Sequence, residues 1–193
     1  MQIKFSTALY LLLTALTLQG CAAAIVGGAA ATATIIHDRR TTGVIVEDQS
    51  IELKAYDLLK KDPEIKEQTS IAVTSYNMVV LLTGQAANER LRRKAEQLTA
   101  GVERVRRVVN EIEIGSISSI GEDSRDVALT SEVKLKLSRV DIPDFDPLRV
   151  KVVTERGTVF LLGLITKQEG DAVTDVVRHI SGVRRVVRVF EYI

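Results

Sequence analysis

The sequence predicts an α+β fold: two tandem copies of one αββαβ module, each a three-stranded sheet with two helices on one face, behind a signal peptide and a flexible tether. Three observations carry this. Ile71 to Gly84 (IAVTSYNMVVLLTG) runs parallel to Val150 to Gly163 (VKVVTERGTVFLLG), and both read as strand, turn, strand. Further on, Gly101-Val102-Glu103-Arg104-Val105 matches Gly182-Val183-Arg184-Arg185-Val186, with the second copy two residues longer in between. Apolar residues at helical spacing flank each hairpin. Two copies are too few for a solenoid.

Taken in order, Met1 to Lys4 brings one positive charge. Phe5 to Leu18 is then an uncharged, mostly apolar run of about fourteen residues, the length of a signal-peptide core; a membrane span needs about twenty. The run ends in Leu18-Gln19-Gly20-Cys21, which resembles the lipobox of bacterial lipoproteins. The resemblance implies cleavage after Gly20, a diacylglyceryl group on the Cys21 thiol and acylation of the freed amine. The competing reading, one uncleaved anchor helix over Phe5 to Ala31, is weakened by Gln19, Gly20, Gly27 and Gly28. At about 0.8 kcal/mol per buried methylene, two or three acyl chains hold a protein on a membrane durably. Ala22 follows the cysteine where Asp would signal retention, which by the same resemblance favours the outer membrane. Residues 21–46 are rich in Ala, Gly and Thr, lack apolar periodicity around Asp38, Arg39 and Arg40, and read as the tether.

The first module is read as residues 47–114. Ile51, Ala55, Leu58 and Leu59 line one face of a helix that Asp62-Pro63 closes, because proline disfavours helical geometry in the residue before it. Leu91, Ala95 and Leu98 make a second helix after the hairpin. Residues 115–121 (GSISSIG) form a linker, and 122–193 the second module, with Leu129, Val133 and Leu137, then Val173, Val177 and Ile180, as its helix faces. Gly84 and Gly163 read as structural glycines ending the second strand, and Gly101 and Gly182 as helix C-caps. A module of about 70 residues buries only about 60% of its unfolded surface and is expected to be modestly stable alone.

Composition narrows the function. Lys and Arg total 26 and Asp and Glu 25, and removal of Lys4 with the signal peptide leaves the mature chain neutral. With no Trp and four each of Phe and Tyr, it offers neither the basic stripe nor the stacking platforms of a nucleic-acid binder, so no nucleic-acid partner is expected. The one cysteine forms no internal disulfide. His37 and His179 stand outside any ligand or triad spacing, so no metal, cofactor or catalytic residue is expected. Asp141, Asp144 and Asp146 invite a calcium reading, but Pro143 and Pro147 interrupt them and the loop glycine and terminal glutamate are missing. Arg90, Arg92, Arg93, Lys94, Arg104, Arg106 and Arg107 lie among many acids and read as a solvated face.

The order helix, hairpin ending in Leu-Thr-Gly84 or Leu-Leu-Gly163, helix, then Gly-Val-x-x-Val resembles the BON domain, and two of them behind a lipobox resemble the dual-BON outer-membrane lipoproteins. The resemblance implies a non-enzymatic protein on the periplasmic face of the outer membrane that maintains envelope integrity. It further implies binding of anionic phospholipid through the second BON domain and association with the β-barrel assembly machinery at division sites. On this sequence the lipid-binding element falls on the first helix of the second module, with Val127, Leu129, Lys134, Lys136 and Arg139; Arg184, Arg185 and Arg188 would add attraction to anionic lipid. The stretch lacks the aromatic that lipid-binding relatives carry near its start, which makes insertion shallow or absent. The rival expectation is a protein-binding adaptor of the envelope without lipid recognition.

Overall fold

The computed structural model describes residues 38–116 and 120–193, with side chains in the second stretch from Ser124 onward. Cys21, the lipobox, the signal segment and most of the tether lie outside the described residues, as do residues 117–119 of the linker.

Helix α1 (Thr42–Lys61) starts inside the stretch read as tether. Thr41 caps it, its hydroxyl accepting from the Val44 N–H at 3.3 Å. The first buried residue of this helix is Asp48, a residue type that a hydrophobic pattern assigns to solvent, so the pattern became visible only at Ile51. Ile51, Ala55 and Leu59 face the core as expected, whereas Leu58 is exposed. Asp62-Pro63 both closes α1 and opens a short helix α2 (Pro63–Gln68): the Asp62 carboxylate accepts from the Ile65 N–H at 3.1 Å, and proline at the first helical position forfeits no bond.

Strands β1 (Thr69–Tyr76) and β2 (Val79–Ala86) form an antiparallel hairpin across Asn77 and Met78, whose φ of 51° and 62° make the two-residue turn that matches strand twist. Helix α3 (Glu89–Ala100) then returns the chain so that β3 (Arg107–Asn110) pairs parallel to β2, continued after a two-residue break by β4 (Glu113–Ile114). The second module repeats the plan: α4 (Ile120–Leu137), a 3-10 turn at Pro147–Arg149, β5 (Val150–Glu155), β6 (Thr158–Ile165), α5 (Lys167–Arg178) and β7 (Arg185–Tyr192), with sheet order β5-β6-β7. The predicted αββαβ duplication stands.

Alternation along the central strands decides what each face meets. Val80 and Leu82 join Ile51, Ala55, Leu59, Leu91 and Ala95 beneath the first pair of helices, and Val159 and Leu161 join Leu129, Val133, Val173 and Val177 beneath the second. The opposite faces pack on each other: Tyr76, Val79 and Leu81 meet Phe160, Leu162 and Val189 in one cluster. The unit formed by residues 39–193 is therefore four layers deep, helices outside and two sheets inside, which explains why all eight residues of β2 are buried. Polar contacts rim this seam. Lys151 Nζ meets Glu52 Oε1 at 3.0 Å, Asn77 Nδ2 donates to Glu191 Oε2 at 2.6 Å, and Arg185 Nη2 meets Glu111 Oε2 at 2.8 Å.

The glycine assignments need correction. Gly84 and Gly163 lie within β2 and β6, not at their ends. Gly84 has φ +107°, and a Cβ there would overlap the Ser70 carbonyl oxygen of the paired strand, so this position requires glycine. Gly101 does cap α3, with right-handed φ, but the cap of α5 is His179, and Gly182 stands three residues beyond it. The two copies therefore align three residues away from the Gly-Val match. The N–H of Arg106 donates to Met78 O at 2.9 Å, and the N–H of Arg184 donates to Gly157 O at 2.8 Å, which makes Arg184 the counterpart of Arg106 and Gly182 the counterpart of Arg104.

Arg39 and Arg40, assigned to the tether, are bound. Arg40 pairs with Asp48 at 2.7 Å and lies 3.7 Å over the Tyr76 ring; Arg39 reaches the second module and grips Glu169 at 2.7 and 3.0 Å. Burial pushes the Glu169 carboxyl up, but the Arg39 guanidinium and the Thr166 N–H and hydroxyl outweigh it and hold the pKa at about 2, from an ordinary 4.5. A depressed carboxylate contributes stability above its unfolded pKa and loses it as pH falls through the folded one. Arg39→Gln is expected to lower stability at pH 7 and to flatten the fall in stability between about pH 4.5 and 2. Denaturant melts across that window check this; an unchanged slope contradicts it.

Candidate lipid-contact surface on the second module

Helix α4 puts Leu129, Val133 and Leu137 inward at four-residue spacing, so its outer face is set by what lies between them. That face presents Val127 and Leu135, 68% and 58% exposed, with Lys134 exposed beside them. Val127 and Lys134, two turns apart, share a shallow groove with Thr130, Ser131 and the end of β5 at Thr154 and Glu155. The Thr130 and Thr154 hydroxyls meet at 2.8 Å and tie the helix to the strand edge. Lys136 is half-buried, and Arg139 stands exposed past the helix end. Among the described residues Lys134, Lys136 and Arg139 have no ion-pair partner.

The other expected contacts divide. Leu129 is a core residue, 8% exposed, because the four-residue spacing that makes α4 amphipathic turns it inward; it is not an outward lipid contact. Arg185 is held by Glu111 of the first module. Arg188 is held by Tyr192 and by Asp171 at 2.7 Å, which raise its guanidinium above the usual range. Each guanidinium therefore has a carboxylate partner within the protein while staying about half exposed. Arg184 has no ion-pair partner among the described residues, and it lies away from the outer face of α4, at a second cleft.

That cleft, about 430 Å³, lies between the start of α4, the β5–β6 turn and the loop before β7. It is lined by Ala128, Leu129, Gly157 and Gly182, with Arg125, Arg156 and Arg184 and the polar Asp126, Glu132 and Ser181 around them. Asp126 fixes its shape: the carboxylate accepts from the N–H groups of Arg156 and Gly157 at 2.6 and 2.9 Å, clamping the turn to the helix. Asp48 does the same in the first module for Asn77 and Met78, at 2.8 and 2.7 Å. Sequence reasoning missed Arg125, Asp126 and Arg156. The available signal was the aspartate three residues before the first core position of each copy, Asp48 before Ile51 and Asp126 before Leu129.

The family model of the BON domain matches residues 47–116 and 125–193. The chain belongs to the BON-domain family. It is 40% identical to the outer membrane lipoprotein DolP of Haemophilus influenzae, over 91% of this chain and 90% of that one. It is also 36% identical to the 21 kDa hemolysin of Actinobacillus pleuropneumoniae, over 81% and 79% of the two chains. The osmotically-inducible protein Y of Escherichia coli is 31% identical over 75% of this chain and 72% of its own. The second BON module carries both surfaces described above.

Proposed function

We infer that this chain is an outer-membrane lipoprotein of the periplasmic face, held by acyl chains on Cys21, whose second BON module binds anionic phospholipid as part of keeping the envelope intact. It carries out no reaction. Its likeness to the Haemophilus outer membrane lipoprotein over nine-tenths of both chains supports the anchor and the compartment. The observation that carries the lipid reading is the outer face of α4, where exposed Val127 and Leu135 flank the unpaired Lys134: apolar groups for the headgroup layer beside a cation for its charge. A second reading, a protein-binding adaptor of the envelope with the β-barrel assembly machinery as one partner, is favoured by Val46, Leu53 and Tyr56. They are exposed along one face of α1, with Lys60 5.4 Å over the Tyr56 ring, an apolar strip of the kind a protein partner covers.

Near an anionic surface each basic side chain contributes about 1 kcal/mol. Lys134→Glu with Lys136→Glu is therefore expected to weaken binding to phosphatidylglycerol-containing vesicles by an order of magnitude or more at low salt. The difference should narrow at high salt, as the Debye length contracts from about 10 Å at 0.1 M to about 3 Å at 1 M. Flotation of the unacylated protein (residues 21–193, Cys21→Ala) with and without the lysine substitutions tests this. Equal flotation of both proteins contradicts the role of these lysines, and flotation of neither favours the adaptor.

A further inference from the structure

The duplication supplies an internal comparison for the cleft at the start of α4. In the first module the equivalent place is closed by the chain's own charges. Glu47, next to the turn-clamping Asp48, pairs with Arg104 at 3.0 Å, and Lys54 faces Glu103 across the same opening at 3.8 Å. Arg104 reaches Glu47 from a left-handed backbone position, φ +67°.

In the second module every part of that closure is changed. Arg125 stands where Glu47 does, next to the clamping Asp126, and Gly182, φ +92°, stands where Arg104 does. Ser181 replaces Glu103, and Glu132 replaces Lys54. The plug is gone, and the carboxylate it held has become a guanidinium. The counterpart of Arg184, Arg106, is committed to Glu191 at 2.9 Å, whereas Arg184 has no ion-pair partner among the described residues. Removing the Arg104 side chain leaves an opening of about 430 Å³, within the range of small-molecule sites. Swapping Glu47 for Arg125 leaves three guanidinium groups, Arg125, Arg156 and Arg184, against two carboxylates, Asp126 and Glu132, in the lining of that opening. Both carboxylate oxygens of Asp126 are taken up by the turn amides, and Glu132 lines the end of the cleft two helical turns, about 10 Å, along α4 from Arg125, which leaves the Arg125 and Arg184 end cationic.

We propose that this cleft binds the phosphate of one anionic phospholipid headgroup, with Arg125 and Arg184 as its ligands and Ala128, Leu129, Gly157 and Gly182 receiving the glycerol. The site takes a phosphodiester where the first module takes the carboxylate of Glu47. The guanidinium fork suits phosphate oxygens, and the apolar floor suits a ligand that carries carbon beside its charge. This rests on the phospholipid reading above and deepens it: recognition is stoichiometric, in a cleft, and separate from the attraction exerted by Lys134 on the outer face.

The test titrates the unacylated protein with dihexanoylphosphatidylglycerol below its micelle concentration. Dihexanoylphosphatidylcholine and inorganic phosphate serve as comparison probes, and backbone amide shifts are the readout. The expected result is saturable one-site binding of the anionic lipid, with shifts at Arg125 to Glu132, Gly157 and Gly182, and no saturation by the zwitterionic lipid. Arg125→Gln with Arg184→Gln should weaken it at least tenfold. Arg125→Glu with Gly182→Arg, which rebuilds the first module's plug, should abolish it. Because Gly182→Arg strains the backbone, the glutamine pair alone suffices if the plugged variant does not fold. Unchanged affinity in the glutamine pair overturns the proposal. Competition by inorganic phosphate as strong as by the lipid overturns the headgroup as occupant. Flotation on anionic vesicles without saturable binding of the short lipid overturns the cleft while the phospholipid reading stands; absence of both overturns the reading itself.

Discussion

Phe160→Ala is expected to lower the unfolding free energy by about 3–5 kcal/mol and to do so for both modules at once. Phe160 is 1% exposed on the central strand β6, with Val153 and Val187 beside it in the sheet. Its ring points away from its own helices into the seam with Tyr76, Val79 and Leu81. Truncation loses the transfer free energy of the ring and leaves a cavity between two stacked sheets, which cannot close without sliding one module on the other. A module expected to be modestly stable by itself is thus stabilised by its twin. Denaturant unfolding should show one transition before and after the substitution, and hydrogen exchange should rise in β2 as well as β6. Two separate transitions, with only the second module weakened, would contradict a shared core.

Asp48→Ala should be comparably costly, about 3–5 kcal/mol, because it removes one partner of a buried charged network and leaves the rest unpaired. Asp48 is 3% exposed. Its carboxylate accepts from the Ser75 hydroxyl at 2.6 Å, the N–H groups of Asn77 and Met78 at 2.8 and 2.7 Å, and Arg40 at 2.7 Å. Loss of the side chain strands two turn amides and a guanidinium stacked on Tyr76. Asp48→Asn, which keeps the shape and one acceptor oxygen, should cost less. Thermal melts of the two variants check the order; an alanine variant as stable as the parent would show that water replaces the carboxylate.

What the sequence disclosed follows from which physical signals are local. The hairpins were legible because strand alternation and a short turn occupy a single window, and the helices because Leu129, Val133 and Leu137 repeat within one. The stacking of the two sheets was not read, although the unbroken apolar runs Val79 to Leu82 and Val159 to Leu162 are what doubly covered strands look like. The start of α1 was missed because its buried anchor is an aspartate. The register of the repeat does not follow its glycines: Gly182 matches Arg104, a non-glycine residue at positive φ, and Gly101 matches His179. On the candidate surface, Val127 and Lys134 could be placed by helix phase. Leu129 belongs to the core by that same phase, and its assignment as a lipid contact conflicted with its own periodicity. The ion pairs of Arg185 and Arg188 depend on the partner strand and on α5, and no sequence window contains them.

The second module is expected to meet anionic phospholipid through the face that carries Val127. Cys21 is the only cysteine, so Cys21→Ala allows one environment-sensitive fluorophore to be placed at will. Val127→Cys and Leu53→Cys give matched positions, 68% and 67% exposed, on the first helices of the second and first modules. On phosphatidylglycerol-containing vesicles the label at 127 should shift to the blue and the label at 53 should not, and neither should respond to phosphatidylcholine alone. A response at 53 and not at 127, or one that ignores lipid charge, would contradict the account.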